Sequence, residues 1–160
     1  MTRTLWQNLL ILVACTLFFS GHTQGLASYN SLATSTIKPS ASFLDSLKKY
    51  NADQGYKLVK EAPLSMLSDV EMAVLLPLEK DKWYRFIFIG DNLAEGNEIR
   101  LYDHSNRQVL FQKNHWEENG LHITQCNLRA RESDYHLMKP TQISQWKKKL
   151  HAYLLLLEKK

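Results

Sequence analysis

Trp83-Tyr-Arg-Phe-Ile-Phe-Ile89 is the stretch that decides the fold class. Aromatic and β-branched residues crowd it, and no other part of the chain carries so strong a strand signal. At a period of two, Tyr84, Phe86 and Phe88 share one face, while Ile87 and Ile89 share the other with Arg85. A strand that is apolar on both faces is central in its sheet and covered on both sides, at least toward its C-terminal end. Glu79-Lys-Asp-Lys82 is the polar turn leading in, and Gly90-Asp91 ends the strand.

Similar grammar extends on both sides. Upstream, Tyr56-Lys-Leu-Val-Lys60 alternates until Glu61-Ala-Pro63 breaks it, and Met72–Leu78 is apolar, with Pro77 marking an edge position or a bulge. Downstream, Glu98–Tyr102 alternates with Ile99 and Leu101 inward, and Asp103–Arg107 is a turn into Gln108–Gln112. Glu117–Gly120 is a further turn, Leu121–Leu128 a strand, and Ser133–Met138 the last. About seven short strands with turn signals between them predict a mainly β fold, an antiparallel, jelly-roll-like β-sandwich. Trp83, Tyr84, Phe86, Phe88 and Phe111 are assigned to its core.

Two helices flank this body. A short N-terminal one is expected over Ser42–Tyr50, with Phe43, Leu44 and Leu47 on one face. After Lys139-Pro140 the spacing of Ile143, Trp146, Leu150, Tyr153 and Leu157 predicts an amphipathic C-terminal helix over 140–160, capped by Thr141 and docked on the sandwich through Leu154–Leu157. The predicted organisation is therefore signal peptide 1–27, flexible leader 28–42, sandwich 43–139 and helix 140–160.

The N-terminus reads as an address. Leu9–Phe19 is an apolar run too short to span a bilayer, and Gly25-Leu-Ala27 supplies small residues at −3 and −1 of a cleavage site. A cut nearer Gly21–Gln24 and an uncleaved anchor are the alternatives. Leu12-Val-Ala-Cys15 also spells a lipobox, although the apolar run continues past its cysteine. Cleavage after Ala27 places the protein in the periplasm or outside the cell and leaves one cysteine, Cys126, expected to be buried in a strand.

At 160 residues, 44% hydrophobic, with 6 Gly and 2 Cys, the chain is neither collagen, a multi-spanning membrane protein nor a disulfide scaffold. Its net charge of +4 comes from the tail, since residues 28–138 hold 13 basic and 15 acidic side chains. No basic stripe with interleaved aromatics runs through the body, which argues against nucleic acid.

Chemistry is sparse. Asp103-His104-Ser105 reads as a polar turn, and the acidic loop from Asp91 to Glu98 lacks the calcium-loop pattern. His104, His115, His122 and His136 do not have zinc-site spacing, although His122 and His136 would face each other if their strands were neighbours. Cys126 and His122 share a strand face without a third orienting group. The expectation is no catalytic residue, no metal and no cofactor. Tyr102, His115 and Trp116, at strand ends, are the candidate ligand-binding aromatics. Trp146, Lys147, Lys148 and Lys149 are the candidate partner or membrane contacts.

The aromatic strand at 83–89, Ile99-Arg-Leu-Tyr-Asp103 before its turn, and Ser133-Asp-Tyr-His-Leu137 together resemble bacterial pre-peptidase C-terminal-type sandwich domains over about residues 70–138. Arg107 stands where a turn glycine is usual, with Asn106 beside it able to take positive φ, and Asp134 replaces the glycine before Tyr135. The resemblance implies an extracytoplasmic, non-enzymatic binding or accessory module whose partner is a protein or envelope component. The alternative is a membrane-associated protein docking through its basic C-terminal helix.

Overall fold

A computed structural model describes residues 39–116 and 122–160; the expected signal peptide, most of the leader and the turn at 117–120 lie outside them. Helix α1 (Ala41–Asp53) precedes eight strands: β1 (Tyr56–Leu67), β2 (Val74–Leu78), β3 (Trp83–Gly90), β4 (Gly96–Tyr102), β5 (Gln108–His115), β6 (His122–Arg129), β7 (Asp134–Ile143) and β8 (Lys149–Lys159). They form two four-stranded antiparallel sheets, ordered β1-β8-β3-β6 and β2-β7-β4-β5. Of the six strand pairs only β4–β5 joins neighbours in sequence.

The parity of the aromatic stretch holds. Tyr84, Phe86 and Phe88 join Leu64, Met66, Leu76, Ile99, Leu101, Met138, Leu154 and Leu156 in one cluster fed by both sheets, so the sheets bury their inner faces on each other. On the outer face of the β1-β8-β3-β6 sheet, Ile87, Ile89, Leu155 and Leu157 meet Phe43, Leu44 and Leu47 of α1. The helix begins one residue before the expected start, where the Ser40 side chain accepts from the Phe43 N–H, and runs three residues beyond the expected end. Arg85, also on that outer face, donates to Asn51 and Gln54 at the helix end and lies 4.0 Å from the Tyr56 ring centroid.

The C-terminal helix is not there. Residues 134–143 and 149–159 are strands joined by a turn that carries Trp146. Leu150, Ala152, Leu154 and Leu156 point inward, while Leu155 and Leu157 point outward under α1. The 3-4-3-4 spacing was a coincidence between residues of two strands and a turn. Four consecutive leucines fill both faces of a central strand, whereas a helix lying on one surface leaves part of such a run in water. Pro140 fits because its carbonyl accepts from Met72, on the side where β2 has ended, so no ladder donor is missed there.

Other expectations are corrected. β1 continues through Pro63, which an edge strand tolerates. Phe111 and Trp83, assigned to the core, are 50% and 51% exposed, because both lie on outer faces where α1 does not reach. His122 and His136 belong to different sheets and do not sit on neighbouring strands. Pro77 does lie in an edge strand, and Asn106 does adopt φ 59°.

Phe88→Ala should lower stability by about 3–5 kcal/mol in chemical denaturation, and a chain ending at residue 148 should lose its cooperative transition altogether. A cooperative melt of that truncated chain would show that β8 is dispensable.

Candidate functional site

The two ends of the sheets carry different chemistry. At one end, the connections 68–73, 91–95 and 144–148 are bound together. Asp91 is buried; its carboxylate accepts from the backbone of Leu93 (3.0 Å) and His151 (2.8 Å). Gln142 Oε1 accepts from the Asp91 N–H at 2.6 Å, and its Nε2 donates to the His151 carbonyl. Gly90 makes room for this, since a Cβ there would sit 3.0 Å from Gln142 Oε1. Deeper in, Asn114 donates to Thr124, which donates to Asn97 Oδ1.

At the other end, the edge strands β5 and β6 part to form a cleft of about 530 Å³. Arg107, Gln108 and Val109 line one wall, and Leu128, Arg129, Ala130 and Arg131 line the other, with Asp81 and Trp83 at the mouth. Backbone bonds from Asp81 to Ala130 and from Ala130 to Lys82 lock the two turns on that side. Asp103, almost fully buried, holds Arg107: its carboxylate accepts from the Arg107 backbone N–H at 2.8 Å and from Nε at 2.9 Å. That backbone bond, backed by the guanidinium, keeps the Asp103 carboxyl below its usual value. Arg129 pairs with Asp81 at 3.1 Å, whereas Arg131 has no carboxylate partner among the described residues. The cleft therefore presents three guanidinium groups, two of them aimed by carboxylates, and a half-exposed indole.

The aromatics proposed from sequence are not brought together. Tyr102 pairs with Gln108 at one end of the β4–β5 hairpin, and His115 pairs with Gly96 at the other, about 20 Å away at 3.4 Å per residue. Tyr102 lies on the uncovered outer face of its sheet with Lys139 over its ring at 5.2 Å. His115 is exposed, and Trp116 turns the opposite way to stack on His122, ring centroids 4.3 Å apart. On that outer face Glu98 binds Arg100 and Lys113, while Glu71 binds Arg100 and Lys139, so its charges neutralise one another. Trp146, Lys147 and Lys148 lie in the β7–β8 turn and Lys149 opens β8, so the four are adjacent but on no helix.

Sequence reasoning missed the cleft because its arginines come from two turns that only folding joins; the alternation Arg129-Ala-Arg131 was the available signal. It also treated the 103–105 turn too simply. Ser105 Oγ lies 3.1 Å from His104 Nε2, and His104 Nδ1 lies 2.8 Å from Glu132, whose carboxylate raises the His104 pKa. Cys126 and His122 share the inner face of β6 but stand four residues, about 13 Å, apart. Among the described residues no group of three or more His, Cys, Asp or Glu could hold a metal ion. No protein-family model matches the chain, and no curated protein matches it in sequence.

Burial pushes the Cys126 thiol up to about 12. Iodoacetamide at pH 8 should therefore leave it unmodified in the folded protein and alkylate it readily in denaturant. Rapid modification of the native protein would place the thiol in contact with solvent.

Proposed function

We propose that the chain is an exported, non-enzymatic binding module with a jelly-roll sandwich fold, and that its cleft takes an acidic saccharide of the cell envelope. Strand orders β1-β8-β3-β6 and β2-β7-β4-β5 support the sandwich, because eight antiparallel strands in these two orders form the double-sheet jelly-roll arrangement. The resemblance to pre-peptidase C-terminal-type domains belongs to the same proposal. Envelope location rests on the Leu9–Phe19 run and the Gly25-Leu-Ala27 site.

The observation that carries the ligand class is the company Arg131 keeps. An unpaired guanidinium beside two aimed ones favours a carboxylate or phosphate, since guanidinium forks match those groups with paired N–H donors. Trp83 adds a flat apolar face on which a sugar ring can stack. A volume of about 530 Å³ suits a mono- or disaccharide. The outer face bearing Tyr102 and Phe111 offers aromatics too, but its cations are already occupied. Docking through a basic C-terminal helix is withdrawn with the helix.

The Glu132–His104–Ser105 array favours a second reading, an acyl hydrolase with Ser105 as nucleophile. Half of the His104 side chain is exposed, so the array stands in water instead of the dry site such chemistry uses. A fluorophosphonate probe should leave Ser105 unlabelled in the parent. Labelling that disappears in Ser105→Ala would establish the hydrolase.

Titration of a glucuronate-containing disaccharide, followed calorimetrically, should show binding at least tenfold tighter than for its neutral glucose counterpart. Arg131→Ala should weaken it about tenfold, the loss expected for one charge-assisted hydrogen bond, and Trp83→Ala by a similar factor. Equal affinity for the acidic and neutral disaccharides, or no binding of either, would remove the acidic-saccharide reading.

A further inference from the structure

We propose that the end of the domain opposite the cleft docks on an anionic phospholipid bilayer, inserting Trp146 with Leu67 and Val70 and setting Lys147, Lys148 and Lys149 against the headgroups. Trp146 is 69% exposed, more than any other large hydrophobic side chain among the described residues, and Leu67 and Val70 are 59% and 50% exposed. All three belong to the same place. Leu67 ends β1 directly across from Lys149, and Ser68 ties its loop to the β7–β8 turn through three bonds: its N–H to the Lys148 carbonyl, its hydroxyl to the Trp146 carbonyl, and the Lys148 N–H back to that hydroxyl. Asp69 adds a fourth, N–H to the Gln142 carbonyl at 2.8 Å. The apolar side chains are thus held out on a braced tip, with no ordering left to be done on contact.

Charge names the occupant. None of the three lysines forms an ion pair among the described residues. Of the carboxylates at this end, Glu71 is paired with Arg100 and Lys139 and Asp91 is buried on backbone N–H groups, which leaves exposed Asp69 and half-buried Glu95, the latter bonded to the Gln145 N–H, near the lysines. Three ammonium groups without an ion pair among the described residues, against these two carboxylates, leave the outside of the tip net positive, which suits a negative surface. Indole and aliphatic side chains on two short turns suit the headgroup–acyl boundary, where an amphipathic ring settles. A protein partner would need a patch of about 20–30 residues, which three protruding side chains do not make. The bilayer is a separate ligand from that of the cleft, and docking at this end leaves the cleft facing away from the membrane.

The full chain is to be mixed with vesicles of 30% phosphatidylserine in phosphatidylcholine. Because the N-terminal apolar run is common to every variant, two readouts isolate the tip. The first is quenching of tryptophan fluorescence by brominated acyl chains in a Trp6→Phe background, since Trp6 adjoins the apolar run; it is expected there and largely lost when Trp146→Phe is added. The second is partitioning measured by sedimentation. Lys147→Glu with Lys149→Glu should reduce it at least tenfold, given about fivefold per lysine at an anionic surface, as should 0.5 M salt. Circular dichroism melts should match the parent, since all the substituted side chains at the tip are exposed. Quenching unchanged by Trp146→Phe, partitioning unchanged by the lysine substitutions, or equal binding to pure phosphatidylcholine vesicles would each overturn the proposal. So would lipid-independent self-association abolished by Trp146→Phe.

Discussion

Leu154 to Leu157 are buried on both faces of a strand that has β1 on one edge and β3 on the other. The last strand of the chain is therefore a centre of its sheet, and the remaining architecture follows from where it must go. Phe86 and Phe88 cross from Leu156 and Leu154, and Ile87 crosses from Leu155, so the two most apolar strands align face by face. Each leucine buried this way contributes about 1.5–3 kcal/mol. The gain arrives only after both ends of the domain have been drawn together, since Tyr56 pairs with Lys159 across nearly the whole described chain. Folding of this kind is governed by non-local pairing, and no segment of the domain is expected to be stable by itself.

A central strand with two apolar faces requires two covers, and the chain supplies unlike ones. The inner face is covered by the second sheet, whereas the outer face is covered by α1, which is anchored at its end by Arg85. The helix covers one outer face only. The other sheet keeps its outer face in water and satisfies it with a ladder of ion pairs through Glu71, Glu98, Arg100, Lys113 and Lys139. Such exposed pairs contribute little to stability, but they leave that surface without uncommitted charge. The cations without an ion pair among the described residues include Arg131 at one end and Lys147–Lys149 at the other.

How far the sequence could be read depended on whether a signal was local. The two faces of 83–89, the inward Ile99 and Leu101, the helix face of Phe43, Leu44 and Leu47, and the positive φ at Asn106 each depend on a few adjacent residues, and each emerged. The C-terminal segment did not. A run of four leucines satisfies a helical seam and a doubly buried strand alike, and the choice rests on β1 and β3, which lie far away in sequence. Turn recognition located Tyr102, His115 and Trp116 at strand ends correctly but had no means of telling which end. The cleft was invisible for the same reason: Arg107 and Arg131 follow strands that do not pair with each other.

Separating the two ends from the core also separates their physics. Asp91, Gln142 and Ser68 bind three connections at one end through backbone groups, so Trp146 and the lysines project from a frame they do not help to build. Asp103 does the equivalent work at the other end, from a buried position beneath Arg107. Lys147 and Lys149 stand in open solvent and Lys148 is half-buried, and attraction of exposed charges to a surface fades over a Debye length of about 8 Å at physiological salt. The arginines line a cleft, but Arg107 and Arg129 are 63% and 58% exposed, so salt screens the charge at that end as well and what distinguishes it is the planar fork of N–H donors.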